Sequence, residues 1–255
     1  MGSQSEIASK PIQSAWRSFE LIGGIAALLA ALVFRRWLSA ELGMLQALGV
    51  VHVQPQTAPS STLEWFRLLH TNAFVGLLLL NVFDIANYVL AAFMYLGIYS
   101  LLRSKDNAYL GLGMVLTAIG VAVYITSNQA LNLLSLSNQF FAATNDSQRQ
   151  LFLSAGEYAL AVNDPVVFGT GIFWSYLFFY SAGLLLSIGM VKSAFIGKWM
   201  GIVGIVANVF GLGYFFTSFF GHSLSIIPAL GSAPANLVWY IAVGIQLIRI
   251  SQKKV

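Results

Sequence analysis

Long apolar runs separated by short polar segments make up most of this chain. Each run is long enough to cross the roughly 30 Å hydrocarbon core of a bilayer as an α-helix. The predicted spans lie near residues 17–36, 72–102, 109–134, 166–191, 197–219 and 226–248. The pattern therefore predicts an all-α integral membrane protein, a bundle of about six transmembrane helices that forms a single domain over residues 1–255.

The first connection contains amphipathic segments that should form interfacial helices. One covers residues 38–53 and either extends the first helix or lies at the interface. A second, LEWFRLLH, follows the Pro- and Ser-rich break at 55–61 and is capped by Ser61 or Thr62. The apolar face of this second helix should rest on the membrane surface and consists of Leu63, Phe66 and Leu69.

The third connection contains another amphipathic helix, at residues 147–161. Asp146 is suited to be its N-cap, and the segment Asn163-Asp164-Pro165 should end it. We interpret this helix as a cover that lies on the surface of the bundle. A lid above a cavity is the alternative.

Composition supports the membrane assignment and excludes other classes. Hydrophobic residues make up 58% of the chain, charged residues 9%, and the mean hydropathy is +0.77. A soluble domain carries roughly 25% charged residues, so the surroundings of this chain should be a lipid bilayer. The net charge of +4 comes from short basic clusters beside apolar runs, without the interleaved aromatics of a nucleic-acid site. The chain has no cysteine and hence no thiol chemistry.

The distribution of basic residues predicts the orientation. With the N-terminus inside, nine Lys and Arg residues fall on the inner side and four on the outer side, the four being Arg35, Arg36, Arg67 and Arg149. The excess of positive charge on cytoplasmic loops then favours cytoplasmic N- and C-termini.

The second span carries the acidic residue that lies deepest in an apolar run, Asp84. At 100° per residue one helical face holds Asn81, Asp84, Tyr88, Tyr95 and Tyr99. A charged carboxylate at the centre of a bilayer costs roughly 2.5–3.5 kcal/mol, so this face should meet protein or water. It could form a binding site, or Asp84 could be protonated or hydrogen-bonded and hold the helices together.

The third span should supply the partner face, because Gly113, Thr117, Gly120 and Tyr124 recur at helical spacing. We therefore expect a polar site between the second and third spans, with Asp84 as its charged group. The expected hydrogen-bonding partners and aromatic walls of the site are Asn81, Asn87, Ser127, Asn128, Tyr88 and Tyr124.

Catalytic and metal motifs are not evident in the sequence. The histidines, His52, His70 and His222, are far apart in sequence, and no HxxxH or HExxH spacing occurs. A serine nucleophile would need a paired base, and the chain contains no GxSxG motif. No catalytic residue or metal ligand is therefore assigned, and the cofactor is unknown.

Several stretches resemble a prokaryotic multi-pass membrane family known as domain of unknown function 4386. The resemblance is carried by NVFDIANYVL at 81–90, YLGIYSLLR at 95–103, and the segments 124–161, 169–193 and 197–215. It covers nearly the whole chain. It implies an all-helical protein of a prokaryotic plasma membrane, and it implies no activity.

The sequence thus favours a membrane protein that binds or transports a small solute, ion or lipid-like molecule near Asp84. It favours this role over catalysis. A structural or accessory membrane protein without a site is the second interpretation. A weaker third one is an intramembrane metal-dependent hydrolase that uses His70, His222 and Asp84. Oligomeric state does not follow from the sequence.

Overall fold

The computed structural model describes residues 16–33, 59–103, 108–164, 167, 169–193, 196–220 and 222–253. These residues form ten α-helices and one short 3₁₀ turn at Ser218–Phe220. The helices are α1 Trp16–Val33, α2 Thr62–Thr71, α3 Ala73–Leu79, α4 Val82–Leu102, α5 Ala108–Ser127, α6 Ala130–Ala142, α7 Asp146–Asn163, α8 Gly171–Val191, α9 Lys198–Thr217 and α10 His222–Lys253.

Six of these helical segments are long and apolar enough to cross a membrane. They are α1, α4, α5 with its continuation α6, α8, α9 with the 3₁₀ turn, and most of α10. No strand occurs in the described part of the chain. The prediction of an all-α multi-pass membrane bundle is confirmed.

Helix α8 lies at the centre of the bundle, between α5 and α9. Its buried side chains are both aromatic and small, and include Phe173, Phe179, Ala182 and Leu186. The serine hydroxyls of such a helix need partners away from water. Ser187 therefore donates to the carbonyl of Gly183 on the preceding turn, at 2.7 Å.

The small-residue face of α5 packs against α8 rather than against α4. A Cβ atom at Gly120 would lie 3.2 Å from the backbone nitrogen of Phe179, and one at Gly113 would lie 3.5 Å from the carbonyl oxygen of Ala182. The expectation that this face pairs with the second span is therefore wrong for the glycines. Only the aromatic end of the face, at Tyr124, reaches the polar residues of α4.

Helix α1 packs against α4 and α10 through glycines that allow the backbones to approach closely. A Cβ atom at Gly23 would lie 2.8 Å from both the Cα of Gly97 and the carbonyl oxygen of Phe93. One at Gly24 would lie 3.0 Å from the carbonyl oxygen of Gly244. These contacts involve backbone atoms, so they fix the distance between the helices.

The predicted second span is divided by a break at Leu80 and Asn81. Asn81 has φ 60° and ψ 30°, the left-handed conformation that asparagine adopts more readily than most residues. The helix predicted over 72–102 is consequently two helices, α3 and α4. Asp84 lies in the first turn of α4 instead of the middle of a long helix.

A separate cap layer, formed by α2, α3, α6 and α7, adjoins the end of the bundle where α4 begins. Its core consists of six buried side chains, namely Phe66, Leu69, Leu80, Ala130, Leu133 and Ala159. Phe66 and Leu69 were expected at the membrane surface, but they are 0% and 1% exposed because α6 and α7 cover them. The hydroxyl of Ser137 ties α6 to α2 by donating to the carbonyl of Phe66.

The helix ends of the cap layer follow ordinary capping rules. Ser61 caps α2 as predicted, accepting from the backbone nitrogen of Glu64. The backbone N–H and hydroxyl of Ser60 donate to the exposed Glu64 carboxylate, which lowers the pKa of Glu64. Asn145, not Asp146, is the N-cap of α7, because its side chain accepts from the nitrogen of Gln148 at 2.9 Å.

Several predictions concern residues outside the described part of the chain. These are the amphipathic segment 38–53, His52 and the basic pair Arg35-Arg36.

The glycine contact between α1 and α4 gives a stability prediction. Gly23→Ala should lower the free energy of unfolding by about 1–3 kcal/mol, because the added methyl group meets backbone atoms of α4 that cannot rotate away. The matched control is Gly111→Ala, where nothing lies within 4 Å and helix propensity should make the change neutral or stabilising. Thermal unfolding of both variants in lipid nanodiscs measures the difference, and equal stabilities would contradict the packing.

Candidate functional site

A cavity lies where α4, α8, α9 and α10 converge, near the end of the bundle where α4 begins. Its water-accessible volume is about 60 Å³. At roughly 15 Å³ for each water position, this is room for about four waters. The lining consists of the polar residues Asp84, Asn87, Ser232 and Asn236, the tyrosines Tyr88, Tyr176, Tyr180, Tyr214 and Tyr240, and Phe179, Ala229 and Ala233.

The carboxylate of Asp84 has little support from the protein. Among the described residues one donor bonds to it, the hydroxyl of Tyr124, at an oxygen–oxygen distance of 3.3 Å. Such bonds to a carboxylate are usually about 2.5–2.7 Å long, so this one is weak. Asp84 lies in the first turn of α4, where the helix dipole offsets part of the cost of burying a negative charge. The other oxygen of the carboxylate accepts no hydrogen bond from the described residues.

Two asparagines add hydrogen-bond acceptors to the cavity. The side-chain oxygen of Asn87 is buried without a hydrogen-bond partner. The side-chain nitrogen of Asn236 donates to the carbonyl and to the hydroxyl oxygen of Ser232, both at 3.0 Å. The Asn236 amide oxygen is thereby left to accept. A buried amide oxygen without a donor is costly, and both asparagines are lining residues of the cavity.

Aromatic rings form much of the wall. Tyr88 stacks on Tyr124 with centroids 4.1 Å apart and meets Phe179 at 4.6 Å. Tyr176 lies 5.9 Å from Tyr214 in an edge-on arrangement. The hydroxyl of Tyr88 is oriented by Ser175 on α8, at 3.5 Å. The wall therefore combines ring faces with hydroxyl groups.

The structure brings together only part of the predicted site. Asp84, Asn87 and Tyr88 line the cavity, and Tyr124 contacts both Asp84 and Tyr88. Asn81, Ser127 and Asn128 are not among the described lining residues. They lie at helix breaks instead.

Each of these three residues has a local structural role. Asn81 provides the left-handed turn before α4. The side chain of Ser127 lies against Gly171 of α8. Asn128 accepts from the nitrogen of Ala130 at the start of α6, at 3.1 Å.

Most of the cavity comes from helices that the sequence analysis did not associate with Asp84. Tyr176 and Tyr180 are four residues apart on α8, and Ser232, Asn236 and Tyr240 recur at the same interval on α10. This helical spacing of polar residues within apolar spans could have identified them from the sequence as residues of one polar face. Glu20 of α1, a second carboxylate that is 3% exposed, was not predicted as a site residue either.

One asparagine of the cap layer joins the two helix breaks beside the site. The side-chain oxygen of Asn163, at the end of α7, accepts from the backbone nitrogen of Gln129 at 2.7 Å. Its side-chain nitrogen donates to the carbonyl of Leu80 at 3.4 Å. Gln129 lies between α5 and α6, and Leu80 precedes the turn that starts α4. Asn163 therefore holds the segment from which Asp84 projects.

His70, the histidine whose side chain the structure describes, is not among the described lining residues of the cavity. The ring of His70 stacks on Phe141 of α6 with centroids 4.3 Å apart, within the cap layer. No group of three or more His, Cys, Asp or Glu side chains suited to a metal ion occurs among the described residues. Convergence of His70 and Asp84 on one ion therefore has no support in the described geometry.

The fold and the cavity together define a multi-pass, all-α membrane protein with a polar, aromatic-lined cavity between its helices. No family model, curated protein or solved structure matches the chain. The resemblance to domain of unknown function 4386 stays a prediction.

The bridging role of Asn163 predicts a specific stability loss. Asn163→Ala should lower the free energy of unfolding by about 1–3 kcal/mol, because it leaves the half-buried N–H of Gln129 and the buried C=O of Leu80 without partners. Asn163→Asp keeps the acceptor for Gln129, so its free energy of unfolding should fall less. Thermal unfolding in nanodiscs measures both.

The control is Asn132→Ala on α6, whose side chain makes an exposed hydrogen bond to Gln129. This variant should change the stability by less than about 0.5 kcal/mol. Equal losses in Asn163→Ala and Asn132→Ala would contradict the assigned bridge.

Proposed function

We propose that this protein binds a small polar or charged molecule in the cavity beside Asp84 and takes part in its transport across the membrane. The observation that carries the proposal is a carboxylate within a membrane bundle that faces a cavity and has one weak hydrogen bond from the protein. Ionisable residues within membrane segments commonly mark the pathways of ions or substrates. The helix break at Asn81 adjoins the cavity, as discontinuous helices adjoin the sites of many transporters.

The alternative is a structural role in which Asp84 holds the helices together. A structural carboxylate should have short hydrogen bonds to several helices, since an incompletely paired buried charge destabilises the fold. Asp84 has one bond, to α5, at 3.3 Å. The close packing of the bundle is instead provided by glycines and aromatic rings. These observations favour a binding role.

The proposed membrane is the plasma membrane of a prokaryote, and the proposed family is domain of unknown function 4386. Six of the eight described basic residues lie at the end of the bundle opposite the cap layer, namely Arg17, Arg103, Lys192, Lys198, Arg249 and Lys253. The ring of Trp16 lies 3.9 Å below the Arg103 guanidinium at this same end. This end is proposed to be cytoplasmic, with both termini inside and the cavity nearer the outer face.

Stability measurements separate the binding role from the structural one. Asp84→Asn keeps the side-chain shape and removes the charge, so a binding residue should yield unchanged stability or a gain of about 1 kcal/mol. A structural carboxylate should yield a clear loss. Asp146→Asn is the control, since Asp146 is fully exposed and forms only a surface ion pair. A melting temperature of Asp84→Asn well below that of the control would contradict the binding role.

Cysteine labelling tests whether small molecules enter the cavity. The native chain has no cysteine, so each variant carries a single thiol. A methanethiosulfonate reagent that adds an aminoethyl group should modify Ser232→Cys, on the cavity wall, at least about tenfold faster than Ser187→Cys, because thiol reactivity follows access. Ser187 is 0% exposed and is absent from the described lining of the cavity.

Mass spectrometry of intact protein in nanodiscs gives the labelling rates. Unfolded samples of both variants confirm that each thiol is present and reactive. Equal, slow labelling of the two folded variants would contradict an accessible cavity.

A further inference from the structure

We propose that the cavity is selective for a small organic cation, an amine or quaternary ammonium group, which sits between the carboxylate of Asp84 and the surrounding tyrosine rings. This inference rests on the proposed binding function and specifies the chemical class of the ligand. Four properties of the cavity support this inference: the charge of its lining, its hydrogen-bonding groups, the aromatic rings of its wall and its volume.

The charge balance of the cavity is negative. Among its described lining residues Asp84 is acidic and none is basic. An unpaired charge within the bilayer is expensive, and a bound cation would offset that cost directly. An anion would meet the carboxylate with no positive group beside it. The balance therefore favours a positively charged ligand.

Among the hydrogen-bonding groups of the lining, the carboxylate of Asp84 only accepts, whereas the tyrosine and serine hydroxyls can accept or donate. Asp84 has an oxygen that accepts no hydrogen bond from the described residues, the Asn87 oxygen is buried and unpartnered, and the nitrogen of Asn236 is already committed to Ser232. These acceptors suit the N–H groups of an ammonium ion. They equally suit the polarised methyl groups of a quaternary ammonium ion, which carry the positive charge outward.

The aromatic wall separates an organic cation from a metal ion. The lining includes the rings of Tyr88, Phe179, Tyr176 and Tyr214, and cations are attracted to the negative faces of aromatic rings. Magnesium and calcium need about six to eight oxygen ligands at short distance. Asp84 is the one carboxylate among the described lining residues, and most of the other lining oxygens are tyrosine hydroxyls rather than the carboxylates and carbonyls that these metals take. An alkylated ammonium group can contact both the oxygens and the apolar ring surfaces of the wall.

The size of the cavity limits the ligand. Its water-accessible volume of about 60 Å³ matches a group of a few heavy atoms rather than a drug-sized molecule. Tetramethylammonium, with its four methyl groups, has about as many heavy atoms as the cavity has room for waters. Choline adds a hydroxyl arm that can reach the amide groups of the wall. Both are therefore suitable probes.

Binding is measured with the full-length protein in nanodiscs, at constant ionic strength, by calorimetry and by the shift in melting temperature that a ligand of the folded state causes. Tetramethylammonium and choline should bind the wild-type protein. The neutral analogue of choline, in which carbon replaces the quaternary nitrogen, should bind at least about tenfold more weakly, a difference of about 1.4 kcal/mol. Sodium and potassium chloride at the same concentrations should cause no comparable shift.

The variants assign the binding to the cavity. Asp84→Asn should weaken tetramethylammonium binding at least about tenfold, which corresponds to about 1.4 kcal/mol. Tyr88→Phe keeps the ring and should bind within about threefold of the wild type, whereas Tyr88→Leu should bind markedly more weakly. The control Tyr158→Leu changes an exposed tyrosine of α7 and should bind as the wild type does.

The results that overturn the inference are distinct from those that overturn the proposed function. Equal binding of choline and its neutral analogue, or an equal shift with sodium or potassium, would overturn the organic-cation assignment and leave a binding site at Asp84. If neither tetramethylammonium nor choline binds while Ser232→Cys still labels rapidly, the organic-cation assignment is overturned and the proposed binding site remains. Absence of binding together with an inaccessible Ser232→Cys would overturn both.

Discussion

The cost of placing a carboxylate among apolar helices is the constraint on which the arrangement around Asp84 depends. Asp84 is half-buried near one end of its span, so the protein and the contents of the cavity must solvate it. The protein contributes the first turn of α4 and one long hydrogen bond from Tyr124. That contribution is small, and the carboxylate opens onto a cavity rather than onto a packed interface. An incompletely compensated charge beside an accessible volume is typical of a site that a ligand completes.

The cap layer explains how Asp84 reaches that position. Asn81 takes a left-handed conformation, so the chain leaves α3 and starts α4 just before Asp84. Asn163 holds this turn through the carbonyl of Leu80 and holds the break before α6 through Gln129. The cap layer has its own core around Phe66, so it is a rigid support for the turn. The described lining of the cavity includes no cap-layer residue, which favours a supporting cover over a lid.

The sequence predicted the fold class well, because apolar run length and charge distribution are set directly by the bilayer. It also predicted that Asp84, Asn87 and Tyr88 share one buried region, because helical phasing fixes neighbours within a helix. It correctly placed the third span, α5, against α4, but it assigned the α5 glycines to that contact, because glycine spacing shows that a face packs closely but not against what. The α5 glycines pack on α8, and α8, α9 and α10 supply most of the cavity. The break at Asn81 was missed because a single asparagine in a long apolar run usually remains helical, and here tertiary contacts from Asn163 favour the turn.

Anomalous diffraction from crystals grown with tetramethylarsonium, the arsenic counterpart of tetramethylammonium, tests the central claim most directly. The arsenic signal locates the cation without any assumption about the site. We expect one strong anomalous peak in the cavity, between the carboxylate of Asp84 and the ring of Tyr88. This peak should be lost in Asp84→Asn crystals. A wild-type map with no peak there, and with the Asp84 carboxylate enclosed by packed side chains, would contradict it.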